Sequence, residues 1–404
     1  MGKKHGTIKK ANNFIYWILR ILMTPILWGK YRFKFEEHKD IKLKRPCLIL
    51  ANHQTAFDQF AVGVGFPFGI NFIASDSIFR HGILSWLMKT IARPIPFSKG
   101  SADSSAIKNI FSVIKQGGAI GMFPSGNRSF FGDECMIRPG IGKLAKKLGV
   151  PVYFVLMRGG YNTKPRWKNK PNKGIVNSSI TRIIDTEELK NISSDQLEDI
   201  VKQELCFNES EWNAKQKIEF HSRHKAEFLE RVLFWCPECK SLNKLSSKKC
   251  AFFCTLCGMR VRVNAAGFFE KISHAENCPN TILKWGKMQL EYIKSINYNK
   301  YLDKPLFSDR DIRLSLAIRS KKDEFLKKGT IEFFGDKIRI CGKDFIISNL
   351  KDISIQSYNR LMIYTDDGEY TADMSARSNA VKYMVCFYHQ KNIIQNIEDG
   401  HYGY

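Results

Sequence analysis

The sequence predicts an α/β domain built on a mostly buried sheet flanked by helices, then a small cysteine-rich unit, then a C-terminal antiparallel β-rich domain closed by one helix. Three observations carry this. From residue 46 the chain alternates short apolar runs with amphipathic helical stripes, the texture of a layered α/β structure. Two CxxC pairs stand close together between Cys236 and Cys257. From about Phe307 short β-like runs are separated by Gly335-Asp336 and Asp367-Gly368, both hairpin-turn signals.

In the first domain, Cys47 to Ala51 and Asn71 to Ala74 read as strands. Asp103 can cap a helix whose Ile107, Ile110, Phe111 and Ile114 hold the i, i+3, i+4, i+7 stripe, and Gly117-Gly118 stops it. Ala119 to Phe123 is the next strand. Ile141, Leu144, Ala145 and Leu148 make a second stripe, ended by Gly149 before the apolar run Val150 to Leu156. Ser193 with Gln196 three residues on is a capping-box signal for a helix through Leu205. The boundaries drawn on this basis are 35–208 for the α/β domain, 209–235 for a helical connector, 236–266 for the cysteine unit, 267–306 for a linker and 307–404 for the β-rich domain. In the last, Ile331–Phe334 pairs with Lys337–Ile340 and Leu361–Thr365 with Glu369–Ala372. Val381, Met384, Val385 and Tyr388 mark the closing helix. Antiparallel strands capped by one C-terminal helix resemble a pleckstrin-homology-like barrel.

Residues 1–34 stand apart. Lys3, Lys4, Lys9 and Lys10 precede the apolar run Phe14 to Trp28, which is interrupted by Arg20 and Pro25. Fifteen residues with a central arginine are too few to span a bilayer comfortably. A secretory signal is a competing reading, but basic Lys30, Arg32 and Lys34 follow where small residues belong. The run reads instead as a segment lying in the membrane interface, with a buried N-terminal helix as the alternative. The chain carries 64 lysines and arginines against 39 acidic residues, a formal charge of +25, which favours polyanionic company: nucleic acid, an anionic membrane surface or phosphorylated substrates.

The chemistry of the first domain gathers at two corners. The strand "LILA" runs into Asn52-His53, with Asp58 five residues on. Residues five apart on a helix lie about 140° apart, so His53 and Asp58 meet only if the strand ends at Asn52 and Asp58 sits in the first turns of a following helix. A carboxylate so placed fixes the imidazole tautomer, making His53 a general base. The second corner, Phe123 to Ser129, again follows a strand. Gly126 lets backbone approach a ligand and Arg128 offers a planar fork suited to phosphate. Open α/β sheets place ligands at such corners.

Four ordered pieces, "NHQTAFD", "IPFSKG", "FPSGNRS" and "VPVYFVLMRGGY", together make residues 30–205 resemble the lysophospholipid acyltransferase superfamily, which includes the bacterial lysophosphatidic acid acyltransferases. The resemblance implies direct transfer of an acyl group from a thioester, of acyl-CoA or acyl carrier protein, to the hydroxyl of a lysophospholipid acceptor. His53 of an HxxxxD motif would be the base, Asp58 its orienter, and Lys99, Ser125, Gly126, Asn127 and Arg128 the substrate-binding set, with Arg128 on the acceptor's phosphate. Two residues depart from the family pattern: Ser125 stands where glutamate is usual and Lys99 where arginine is usual. The basic segment Arg158, Lys164, Arg166, Lys168, Lys170 and Lys173, with Tyr161 and Trp167, reads either as the mouth of the site on anionic lipid or as a solvated loop.

Cys236-x-x-Cys239 and Cys254-x-x-Cys257 are separated by fourteen residues. Two-residue gaps turn both sulfurs of a knuckle toward one ion, so these four thiolates read as a closed structural zinc site, a zinc ribbon, with a dithiol redox pair as runner-up. Cys250 is spare. The expected whole is an acyltransferase on the cytoplasmic face of a membrane. Nucleic acid is not an expected partner of such an enzyme; the alternative is a catalytically idle nucleic-acid-binding or membrane-adaptor protein in which the ribbon and basic surface do the work. The sequence leaves the oligomeric state open.

Overall fold

The structure is a computed structural model that describes residues 8–36, 42–75, 93–97, 104–133, 137, 139–318, 322–397 and 400–403. Strands β1 (Phe33–Glu36), β2 (Cys47–Ala51), β3 (Ile70–Ser75), β4 (Ile95–Phe97), β5 (Ala119–Met122), β6 (Val152–Arg158) and β7 (Val176–Ile184) form one sheet in the order β1-β7-β6-β2-β5-β3-β4. Strands β2 to β6 are mutually parallel, while β7 runs antiparallel to β6 and carries β1 beside it.

The central strand β2 is apolar at every position because both its faces are covered. Leu48 and Leu50 pack with Ile110 and Val113 of α3 (Ser104–Lys115) and with Ala145 of α4 (Ile141–Leu148). Cys47 and Ile49 pack on the opposite face with Leu27 of α1 (Asn13–Tyr31) and Val62 of α2 (Asp58–Val64). Gly149 ends α4 in the left-handed region at φ 62°, and Ser193 with Gln196 closes a reciprocal capping box on the helix Ser194–Leu205. Asp103, read as a cap, lies outside the described residues.

Two stretches differ from the sequence reading. The connector is α-helical only over Glu209–Gln216, with a single 3-10 turn at Leu229–Arg231. Beyond the α-helix Phe228 takes a positive φ of 72°, and Phe220, Leu229, Leu233 and Phe234 bury themselves at irregular spacing that no helix stripe would give. The stretch 267–306 is no linker: β11 (Phe269–Ser273) completes a four-stranded antiparallel ribbon sheet with β8 (Leu245–Lys248), β9 (Ala251–Cys254) and β10 (Arg260–Val263), and the helix Ile282–Lys294 buries Ile282, Trp285, Gln289 and Ile293. Its lysines hid a stripe at i, i+3, i+7, i+11.

The C-terminal strands β12 (Phe307–Leu316), β13 (Glu324–Phe333), β14 (Lys337–Ile340), β15 (Lys343–Ile346), β16 (Asp352–Gln356), β17 (Arg360–Tyr364) and β18 (Glu369–Asp373) form an antiparallel sheet in the order β15-β14-β13-β12-β18-β17-β16. Both expected hairpins are present. The closing helix Val381–Ile394 is buried over most of its circumference rather than on one stripe. One apolar core joins this half to the first domain: Phe130, Phe131, Tyr161 and Trp167 belong to the same cluster as Phe252 and Val261 of the ribbon and Ile331 and Phe387 beyond it. The C-terminal unit is therefore packed onto the end of the α/β domain where its two polar corners lie.

Candidate active site

Strand β2 ends at Ala51, and the next residue fixes the corner. The Asn52 side chain donates to the Met157 carbonyl at 2.8 Å and accepts from the Met157 N–H at 2.7 Å, so it bonds to β6 as a further strand residue would. The backbone then turns. His53 Nδ1–H donates to Asp58 Oδ2 at 2.8 Å, and the same oxygen accepts from the N–H groups of Gln54 (2.6 Å) and Thr55 (2.8 Å). The Thr55 hydroxyl donates to Asp58 Oδ1 at 2.5 Å. Asp58 opens α2, so the strand-to-helix corner on which the pairing depended is present.

A carboxylate only accepts, so the bond to Nδ1 places the proton there and leaves a lone pair on Nε2. The His53 ring stacks on Phe123 with centroids 4.3 Å apart. Its pKa lies below the ordinary histidine value: burial disfavours the cation, the Asp58 bond partly restores it, and the charges of Arg128 and Arg166 lower it again. At neutral pH the imidazole is a free base.

The second corner follows β5, the strand hydrogen-bonded beside β2. Gly126 adopts φ 68°, which a side chain would strain, and its N–H closes the turn on the Phe123 carbonyl at 3.0 Å. The Ser125 hydroxyl donates to the Asn127 carbonyl at 2.9 Å, so the residue that departs from the family pattern serves the turn itself. Asn127 Nδ2 donates to the Gly403 carbonyl at 2.9 Å. The Ser129 N–H donates to the His53 carbonyl at 3.0 Å, locking the two corners together.

Both corners open into a cavity of about 870 Å³. His53, Ser125, Gly126, Asn127 and Arg128 all line it; Lys99 lies outside the described residues. Its remaining walls are largely apolar, from Tyr16, Leu19 and Met23 of α1, Phe60 and Val64 of α2, and Ile110 of α3. The outer face of α1 is also apolar: Phe14, Trp17, Ile21, Leu22 and Trp28 are each at least half exposed.

Three features escaped the sequence reading. Glu209, fully buried at the start of the helix Glu209–Gln216, accepts from Gln54 Nε2 (3.0 Å) and from the N–H groups of Gly159 (3.0 Å) and Asn162 (3.2 Å). Gln54 Oε1 accepts from the Gly160 N–H at 3.0 Å, so the histidine corner is tied to the turn after β6. Burial raises the Glu209 carboxyl to about 7 despite those bonds. The only sequence signal was a glutamate after an Asn cap, which is indistinguishable from a solvated first turn. Second, the basic segment is divided: Lys170 and Lys173 are exposed, as in a solvated loop, but its middle is not, and Arg166 lines the cavity. Tyr161, Arg166, Trp167 and Lys168 are buried because the C-terminal half packs over them, and burial brings the Lys168 ammonium down to about 8. Third, residues of the C-terminal unit, Ser354 to Ser357 among them, line the same cavity as His53.

The four cysteines of the two CxxC pairs converge, with all four sulfurs within 4.8 Å of one another. Cys236 and Cys257 are 3.8 Å apart, as are Cys239 and Cys254. A zinc ion with Zn–S bonds of about 2.3 Å needs sulfurs about 3.8 Å apart at the corners of a tetrahedron, so the donor set fits. Cys250 is turned away, its sulfur 3.6 Å from the Ser222 carbonyl.

Residues 32–158 match the family model described as Acyltransferase. Among curated proteins, the chain is 26% identical over 140 residues to a chloroplastic 1-acyl-sn-glycerol-3-phosphate acyltransferase of Brassica napus, covering 34% of this chain and 39% of that one. It is 28% identical over 162 residues to the 1-acyl-sn-glycerol-3-phosphate acyltransferase of Saccharomyces cerevisiae, covering 38% and 51%. The chain thus spans about half the length, or less, of these relatives. Among solved structures it is similar to the 1-acyl-sn-glycerophosphate acyltransferase PlsC of Thermotoga maritima, at 22% identity and TM-score 0.39 over 47% of this chain and 77% of that one.

Proposed function

We propose, from the premise that residues 32–158 are an acyltransferase-family domain, that the protein is a glycerolipid O-acyltransferase. It moves a fatty acyl group from the thioester of acyl-CoA or acyl carrier protein to the free hydroxyl of lysophosphatidic acid or a related lysophospholipid. The observation that carries this reading is the His53–Asp58 pair, its carboxylate buried and its imidazole half-buried, at the polar end of an apolar cavity that also receives Arg128.

The reaction follows from the geometry. His53 Nε2 takes the proton of the acceptor hydroxyl as its oxygen attacks the thioester carbonyl carbon. The C–O bond forms, the carbonyl π electrons move to oxygen, and their return breaks the C–S bond. The imidazolium returns its proton to the departing thiolate. Asp58 holds the tautomer and stabilises the imidazolium, and the depressed pKa of His53 keeps the base unprotonated at neutral pH. Arg128 holds the acceptor's phosphate, Ser125, Gly126 and Asn127 shape its loop, and the apolar walls receive an acyl chain.

The exposed face of α1 suits a helix lying in an anionic membrane interface, its inner face walling the cavity and its outer face dipped among lipid chains. No helix among the described residues is long and apolar enough to cross a membrane. The cytoplasmic face is the side that free thiols and acyl thioesters favour. Cys236, Cys239, Cys254 and Cys257 would hold zinc, which supplies a structural crosslink between the two knuckles and takes no part in the chemistry. The strand order and closing helix support a pleckstrin-homology-like reading of the C-terminal unit. The purified chain, incubated with a panel of lysolipids and each thioester donor, should form phosphatidic acid most rapidly from lysophosphatidic acid. Failure of every lysophospholipid with both donors contradicts the proposal.

A further inference from the structure

Arg166 occupies an unusual position. It is 5% exposed and lines the cavity beside His53 and Arg128. Its Nη1 donates to the Arg128 carbonyl at 3.2 Å and its Nη2 to the carbonyl of Ile355 on β16, while its face lies 4.0 Å from the centroid of the Phe130 ring. Among the described residues Nε has no hydrogen-bond partner. Among the described residues no carboxylate forms an ion pair with Arg166 or with Arg128.

Arg128 and Arg166 therefore share one largely apolar cavity, which Arg20 and Glu369 also line, and among the described residues neither has an ion-paired carboxylate, the attraction of Asp58 for Arg128 being outweighed by burial. Burying an unpaired charge is costly, and placing a second cation beside it costs more. Burial, and after it the Arg128 charge, press against the Arg166 cation. A phosphomonoester dianion relieves both costs at once, since its oxygens accept from planar guanidinium forks and its charge matches the pair.

We propose that Arg166 is the second cation of the acceptor's phosphate site, and that the C-terminal unit completes this site by holding Arg166 through the Ile355 carbonyl and walling the cavity with β16. The inference rests on the reading of the cavity as an acyl-acceptor site and deepens it. It gives the C-terminal unit a part in acceptor selection. A site closed by β16 takes a phosphomonoester in preference to an acceptor whose phosphate carries a second, bulky substituent.

The test is a titration of the full-length chain with glycerol 3-phosphate by calorimetry, with inorganic phosphate as a second probe, on the wild type, Arg166→Gln and Arg166→Lys. The wild type should bind glycerol 3-phosphate. Arg166→Gln should weaken binding about ten- to a hundredfold, the range of a lost charge-assisted hydrogen bond. Arg166→Lys, which keeps the charge and loses the fork, should weaken it at least about threefold. Inorganic phosphate should show the same order. No binding by the wild type, or twofold agreement between the wild type and a folded Arg166→Gln, overturns the inference. If Arg166→Gln does not fold, Arg166→Lys decides by the same criterion. Acyl transfer is scored separately. Arg166-dependent anion binding without transfer keeps this site and removes the reaction. Transfer with an unchanged KM for lysophosphatidic acid in Arg166→Gln keeps the reaction and removes the site.

Discussion

Asp58→Asn probes the pair most selectively, because it changes charge while preserving shape. Three donors converge on Oδ2: His53 Nδ1 and the N–H groups of Gln54 and Thr55. The asparagine amide oxygen must take that place, which turns Nδ2 toward Thr55 Oγ1, whose hydroxyl can rotate to accept. All four contacts then survive, but each loses its charged partner, the one to Thr55 also reversing direction. Charge-assisted bonds are roughly twice as strong as neutral ones, so about 1 kcal/mol is lost at each, or about 4 kcal/mol of stability in all. The effect on rate is larger. The imidazolium formed during proton transfer loses its buried counter-charge, and general-base assistance worth about a hundred- to ten-thousandfold is largely withdrawn. The pH dependence has a definite sign. Asp58 raises the His53 pKa against burial, so its neutralisation moves the acid limb of kcat/KM to lower pH while the plateau falls. Initial rates of acyl transfer across the acid range, with thermal unfolding of the same samples, measure all three quantities. A folded Asp58→Asn variant with kcat/KM within about threefold of wild type and an unmoved acid limb refutes the assignment, since it falls well short of the loss expected of a general base.

The remaining predictions concern the supports of the site. The purified chain should carry about one equivalent of zinc. Cys254→Ser should abolish metal binding and lower the melting temperature, whereas Cys250→Ser, at a sulfur bonded to the Ser222 carbonyl, should leave metal content unchanged. Ile21→Glu and Trp28→Glu, at positions 50% and 65% exposed, should each weaken binding to anionic vesicles about tenfold or more without lowering the melting temperature, as expected for withdrawing one apolar side chain from lipid. Glu209 has a folded pKa of about 7 against an ordinary carboxyl value. Its contribution is full below the unfolded pKa and is lost as pH rises through about 7, a change on the order of 3 kcal/mol. Glu209→Gln should flatten the melting temperature over that window, and an unchanged pH profile contradicts the carboxyl's raised value.

Local signals in the sequence were read correctly where local rules govern. The apolar run Cys47–Ala51, the capping box at Ser193, the Gly149 stop and the two hairpin turns each depend on neighbouring residues only. The His53–Asp58 contact was legible because a strand-to-helix corner is itself a local event. What stayed hidden depends on distant partners. Glu209 reaches the histidine corner only through the path of the chain, and the buried helix Ile282–Lys294 looked like a charged linker because its lysines sit between its apolar residues. Arg166 looked like one more cation in a basic stretch. Its role depends on β16, almost two hundred residues later, which covers it and supplies the carbonyl that holds it.

The central claim is that His53 is the base of an acyl transfer. The most direct measurement compares phosphatidic acid formation from lysophosphatidic acid and an acyl thioester by wild type and His53→Ala at neutral pH, with folding checked by thermal unfolding. The account predicts robust transfer by wild type and a loss of about a hundredfold or more in kcat for a folded His53→Ala. Near wild-type transfer by that variant contradicts it.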